Sequence, residues 1–145
     1  MLCRAPFGGT AAYIVLGAVP VEACMMFRLG ELFCGPGGLA WGAINARADG
    51  VPDCRIVHAW ATDYDRDACE TYRHNICKGE GIVKHIDIRH LDFGSLSEID
   101  ALAFGFPCND FSVIGERRGV DGTYGPLYSY GVGAIRHFRP QWFLA

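Results

Sequence analysis

No stretch of this sequence gathers lysine and arginine into a run, and its net charge is -3. A surface that grips phosphate is therefore weak here or carried elsewhere. Work on nucleic acid stays open, because an acidic half can hold an active site while a separate half holds the backbone. The seven cysteines, Cys3, Cys24, Cys34, Cys54, Cys69, Cys77 and Cys108, form no C-x-x-C and no Cys/His pairing of zinc-finger spacing. A metal site is thus not expected, and the odd number argues against a closed disulfide framework. They read as mostly free thiols in a reducing, cytoplasmic setting. No apolar run is long enough to cross a membrane: the richest, residues 11–26, is broken by Pro20 and Glu22. Repeats and low-complexity segments are lacking too. What is present is globular in composition, 50% hydrophobic and 20% charged over 145 residues, enough for one modest domain with a core.

Residues 1–27 do not resemble the rest of the chain. Arg4, the apolar middle and Val21-Glu22-Ala23 sketch a signal peptide, but Pro20 and Glu22 interrupt it. The alternative is extra sequence ahead of a working domain that spans 28–145. On that reading the native start is Met25 or Met26, or the leader is dispensable, and deleting residues 1–24 leaves folding unchanged.

From there strands and helices alternate. Arg28–Phe33 reads as a strand, entering the turn Cys34-Gly35-Pro36-Gly37-Gly38 and a helix from Leu39 to Arg47 with Leu39, Ala43 and Ile44 on one side. Glycines let a backbone turn tightly and a ligand come close, and a helix N-terminus favours an anionic group. The spacing is not G-x-G-x-x-G, since Ala40 stands at the third position. Arg55–Thr62 is a second strand, ending at Asp63-Tyr64-Asp65. Nucleotide-binding α/β folds hold ribose hydroxyls at such a tip; an acid there can equally cap the next helix, Arg66–Ile76. Both fit if Asp65 caps and Asp63 binds. A third strand, Ile82–His85, ends near Asp87, again either a site acid or a cap. Leu91–Ser97 is a loop or short helix. Val113–Tyr124, glycine-rich and charged, reads as a mobile loop able to cover a site. A helix from Gly125 to about Phe138 and a strand from Gln141 to Ala145 close the chain. The alternation predicts an α/β doubly wound, mostly parallel sheet.

The remaining stretch is Ala103-Phe104-Gly105-Phe106-Pro107-Cys108-Asn109-Asp110-Phe111-Ser112. An apolar run, Ile99 to Phe106, ends in a Pro-Cys step and polar residues come next. That pattern is a buried strand delivering a thiol to the rim of a sheet, where Cys108 is a nucleophile if its pKa is lowered and substrate reaches it, and a structural cysteine otherwise.

Three segments, Glu31-Leu32-Phe33-Cys34-Gly35-Pro36-Gly37-Gly38, Asp63-Tyr64-Asp65 and Gly105-Phe106-Pro107-Cys108-Asn109-Asp110-Phe111-Ser112, in that order and spacing closely resemble the DNA cytosine-5 methyltransferases. The likeness runs from residue 28 to the end. The family pattern is D-L-F-x-G-x-G-G, then P-C-Q-x-F-S; Glu31 replaces the usual Asp, and Asn109 the usual Gln. The resemblance implies a Rossmann-like S-adenosylmethionine-dependent methyltransferase fold, incomplete at its C-terminus. It implies that Phe33, Gly35 and Gly38 line the S-adenosylmethionine pocket, that Asp63 accepts from the ribose hydroxyls and that Tyr64 stacks on adenine. Asp87 would take the adenine amino group beside Ile88, and Pro107 and Leu127 would complete the wall. Cys108 would attack carbon 6 of cytosine in double-stranded DNA, in a bacterial or phage-like restriction-modification setting. The E-N-V segment of the family would follow Leu144-Ala145. Weak or no methyl transfer is therefore expected of this chain alone, as a truncated form or as one part of a split enzyme completed by a second polypeptide. An RNA cytosine-5 methyltransferase and a non-catalytic S-adenosylmethionine-binding subunit are the alternatives.

Overall fold

The computed structural model describes residues 26–47, 54–77, 81–106 and 125–145. Within them five strands form one sheet: β1 (Met26–Leu32), β2 (Arg55–Asp63), β3 (Val83–His85), β4 (Ala101–Phe104) and β5 (Trp142–Leu144). Their order is β3-β2-β1-β4-β5, and every neighbouring pair is parallel. The chain thus builds outward from β1 in one direction, then returns to its other side with β4. The α/β, doubly wound expectation holds.

Helix α1 (Gly38–Asn45) joins β1 to β2, α2 (Arg66–Asn75) joins β2 to β3, and α3 (Tyr128–Phe138) precedes β5. Strand alternation sends side chains to both faces. Ala61 of β2 packs with Ala40 of α1, and with Cys69 and Tyr72 of α2. Its neighbour Trp60 points the other way, into a cluster with Leu102 and Phe104 of β4 and Ala134 and Phe138 of α3. The sheet is therefore covered on both sides, as the near-continuous apolar composition of β4 requires. Close approaches set the spacing. The Trp60 ring lies over Gly30, where an added Cβ would fall 2.4 Å from it, and the Phe104 ring lies over Gly131 of α3 in the same way. The Trp60 indole N–H donates to the Ser97 carbonyl at 2.9 Å, so this large ring is buried with its polar atom satisfied.

Several expected boundaries move. The fourth strand, expected from Ile99 to Phe106, is Ala101–Phe104. Before it, Asp100 turns its carboxylate onto Arg28, accepting from the backbone N–H at 2.8 Å and from the guanidinium Nε at 3.0 Å. In α1 the inward position belongs to Ala40, fully buried, while Leu39 is 46% exposed. Ala40 is the α1 residue packed into the cluster with Ala61, Cys69 and Tyr72. The Leu91–Ser97 stretch, expected as a loop or short helix, holds a short 3₁₀ turn, Phe93–Ser95, capped by Asp92, and a second, Ile88–His90, capped by Asp87, comes just before it. The last helix begins with a 3₁₀ turn, Gly125–Leu127, before α3. The leader 1–24 and the Val113–Tyr124 loop lie outside the described residues.

Candidate active site

Register fixes where the strands end. Leu32 stands beside Thr62 of β2 on one side and Phe104 of β4 on the other, and Asp63 stands beside His85 of β3. The segments leaving β1, β2, β3 and β4 therefore emerge along one carboxyl edge. Between β1 and β4 the winding reverses, and that is where α/β sheets open a crevice for ligands.

The glycine turn is built at this crevice. Phe33 leaves β1 with φ +54°, a left-handed conformation that is uncommon for a bulky residue and concentrates at functional positions. Gly35 and Gly37 follow at φ +53° and +99°. Gly37 caps α1 and packs tightly: a Cβ there would lie 2.8 Å from Ile76 and 3.0 Å from Tyr72. Gly35 and Gly38 differ, for among the described residues a Cβ on either meets nothing within 4 Å. Those residues leave their backbone uncovered.

Asp63 ties this turn to the next. Its Oδ2 accepts from the Gly35 N–H at 2.8 Å and its Oδ1 from the Asp65 N–H at 2.9 Å. Each oxygen keeps a second lone pair for a hydroxyl donor. Asp65 caps α2 by accepting from the Ala68 N–H at 2.8 Å, so the division of labour expected for this acidic pair is seen on the capping side. The Tyr64 ring between them is 63% exposed and free to stack. Its carbonyl is held by His85 Nε2 at 2.9 Å.

Asp87 caps the first 3₁₀ turn through the Arg89 N–H at 2.9 Å, and its carboxylate is clamped by the Arg89 guanidinium, Nε to Oδ1 at 3.0 Å and Nη2 to Oδ2 at 2.6 Å. These bonds bring its pKa down to about 2. It is an acceptor at all ordinary pH, but one already engaged. Ile88 is buried, and it shares one apolar cluster with Leu127 and with Phe33 packed at the margin. The structure thus unites Phe33, Ile88 and Leu127, residues drawn from three separate segments. Pro107 and Cys108 lie outside the described residues; the strand that leads to them points Gly105 and Phe106 toward the same edge.

Three features escaped sequence reasoning. The Arg89 clamp was signalled by the D-x-R spacing at a turn. The contact of His85 with the Tyr64 carbonyl had no local signal, since it crosses between strands. Glu31 was noticed only as a departure from pattern, yet it is buried and bonded to Tyr72 and His58 beneath the glycine turn. Burial pushes its carboxyl up to about 7, against the opposing effect of the Tyr72 hydrogen bond.

Among the described residues no helix is long and apolar enough to cross a membrane, and no group of three or more His, Cys, Asp or Glu could hold a metal ion. Comparison with known proteins bears on what this edge is for. The chain is 51% identical over 130 residues to the type II methyltransferase M.BbvI of Brevibacillus brevis, covering 83% of this chain and 34% of that protein. It is 35% identical over 117 residues to M.NgoFVII of Neisseria gonorrhoeae, covering 79% and 28%. It spans roughly a third of the length of these relatives. The crystal structure of the S. pombe Dnmt2 methyltransferase superposes with a TM-score of 0.54 at 24% identity, over 79% of this chain and 33% of that one, and so shares the Rossmann-like fold. Residues 27–145 match the family described as C-5 cytosine-specific DNA methylase, and the chain belongs to that family.

Proposed function

We propose that this chain binds S-adenosylmethionine at the carboxyl edge of its sheet and serves methyl transfer to carbon 5 of cytosine in DNA. The observation that carries this reading is Asp63, whose carboxylate joins the glycine turn to the β2–α2 turn and keeps acceptor capacity for hydroxyls. The residues present fit the cofactor. Gly35 and Gly38 leave room for close approach, Tyr64 offers an exposed ring, and Phe33, Ile88 and Leu127 form an apolar wall. Asp87 would accept from the adenine amino group by sharing its carboxylate with Arg89, whose side chain is exposed enough to yield. When bound, the cofactor supplies an electrophilic methyl group.

Cys108 would supply the covalent step. Its thiolate bonds to carbon 6 of a cytosine turned out of the duplex, and the ring electrons this displaces make carbon 5 nucleophilic. Once carbon 5 carries the methyl group it loses its proton, the sulfur leaves carbon 6, and the ring double bond returns. Pro107, next to the nucleophile, would close the cofactor wall.

Calorimetric titration of the chain with S-adenosylhomocysteine and, separately, with NAD tests the binding half. Saturable binding of the first alone is expected; binding of NAD alone, or of neither, would remove the reading. For the chemistry, Cys108→Ser is expected to keep S-adenosylhomocysteine binding and to abolish labelled-methyl transfer in whatever assembly of the protein shows it.

A further inference from the structure

Glu31, His58 and Tyr72 meet beneath the glycine turn, one each from β1, β2 and α2. Their side chains are 1%, 4% and 0% exposed. The Tyr72 hydroxyl donates to Glu31 Oε2 at 2.5 Å and lies 3.2 Å from His58 Nδ1, which is 3.5 Å from the same carboxylate oxygen. Glu31 Oε1 and His58 Nε2 are buried without a hydrogen-bond partner among the described residues. An apolar trio of similar volume would fill the space without leaving polar atoms unsatisfied, so packing alone does not account for these residue types. The other end of Tyr72 gives them a use. Its ring edge lies 3.0 Å from the point where a Cβ would stand on Gly37, so the ring is the floor of the turn.

Resting on the cofactor reading above, we propose that Glu31, His58 and Tyr72 are positioning residues for S-adenosylmethionine, linked so that the charge on Glu31 fixes how firmly Tyr72 supports the glycine turn. With Glu31 ionised, the Tyr72 bond is charge-assisted and the ring is held; with Glu31 protonated, it becomes a neutral pair of lesser strength.

The surroundings leave this pair to set the pH dependence. Around it stand Cys34 after β1, Asp63 at the end of β2, Cys69 on α2 and Cys77 just after α2; the Ala40 backbone of α1 faces His58. Burial pushes the Cys34 and Cys69 thiols up, so both stay protonated. The Tyr72 hydroxyl is raised by burial and by Glu31 and keeps its proton. Burial lowers His58, with the Ala40 backbone opposing, so the imidazole is neutral where Glu31 titrates near 7.

The test is calorimetry of the whole chain with S-adenosylhomocysteine from pH 6 to 8.5, for the wild type, Glu31→Gln and Tyr72→Phe. Wild-type affinity is expected to rise about five- to tenfold with pH, the margin between a charged and a neutral acceptor. Both variants, which keep the shape of the cluster, are expected to give flat profiles. If either variant retains the wild-type profile while folded by circular dichroism, the proposal falls. An independent readout needs no variant to fold: the infrared carbonyl stretch of a buried carboxylic acid is expected in the wild type at pH 6, and its absence would overturn the proposal. Wild-type failure to bind at any pH would overturn the cofactor assignment and this role together, whereas binding without the pH profile overturns this role alone.

Discussion

Gly37 and Gly38 are adjacent, and their surroundings differ: Gly37 is tightly packed, while Gly38 has no close neighbour among the described residues. Gly37→Ala places a side chain at φ +99° and drives its Cβ to 2.8 Å from Ile76 Cγ1 and 3.0 Å from the Tyr72 ring. A left-handed conformation costs an L-residue about 1–2 kcal/mol. Overpacking against a buried ring adds roughly 1–3 kcal/mol, because Tyr72 is fixed at its hydroxyl end and cannot swing aside. The sum, about 2–5 kcal/mol, is a large part of the ~5–15 kcal/mol that a domain has. It corresponds to a melting point lowered by roughly 6–20 °C. Gly38→Ala meets nothing within 4 Å among the described residues and sits in the first turn of α1. Its effect on stability is expected between zero and a gain of about 1 kcal/mol. The added methyl stands instead where the cofactor would approach, so S-adenosylhomocysteine affinity is expected to fall about tenfold or more. Scanning calorimetry with ligand titration separates the two. A Gly37→Ala protein that melts within about 2 °C of wild type refutes the packing argument. A Gly38→Ala protein with unchanged affinity refutes the assignment of that open backbone to the cofactor.

Other perturbations read other parts of the fold. Asp65→Ala removes the α2 cap and is expected to cost about 0.5–2 kcal/mol by urea denaturation, without changing the Asp63 contacts. Trp60→Phe loses the indole bond to Ser97 and leaves space over Gly30; a loss of about 1–3 kcal/mol is expected from the same measurement. Stability should also follow pH in a predictable sense. Asp87, held near 2 by Arg89, and Asp100, lowered by its bond to Arg28, contribute stability present above the ordinary carboxylate value of 3.8 and lost as pH falls through their folded values. Glu31 acts oppositely: folding favours its protonated form, so its contribution is complete below 4.5 and lost as pH rises through about 7. Urea midpoints between pH 4.5 and 8 should decline less in Glu31→Gln than in wild type; parallel curves would contradict the raised carboxyl.

The alternation of elements and the acids at strand ends were legible because both are written locally. Apolar runs bounded by glycine and aspartate gave β1, β2 and their helices to within a residue or two. Asp65 announced itself as a cap by standing just before Arg66-Asp67-Ala68. What could not be read was contact across the sheet. Helical spacing grouped Leu39 with Ala43 and Ile44, yet the buried position of α1 is Ala40 and Leu39 is exposed, because the rotation of a short helix against the sheet is set by contacts that spacing does not record. Glu31 lies in an apolar strand and needs Tyr72, which is separated from it by 41 residues, to explain its burial. Arg89 was two residues from Asp87 and still escaped, since a side-chain clamp depends on the turn between them.

The pairing of Arg28 with Asp100 spans 72 residues of sequence. It sits where β4 enters the sheet beside β1, and that pairing creates the crevice. Strands β1, β2 and β3 can assemble from neighbouring segments as the chain emerges, while β4 must travel back past all of them to reach β1. Long-range closure of this kind is slow relative to local contacts. The crevice at this edge is therefore expected to close after the β1–β2–β3 unit has formed. A chain caught before β4 docks would hold a finished glycine turn with only one of its two walls.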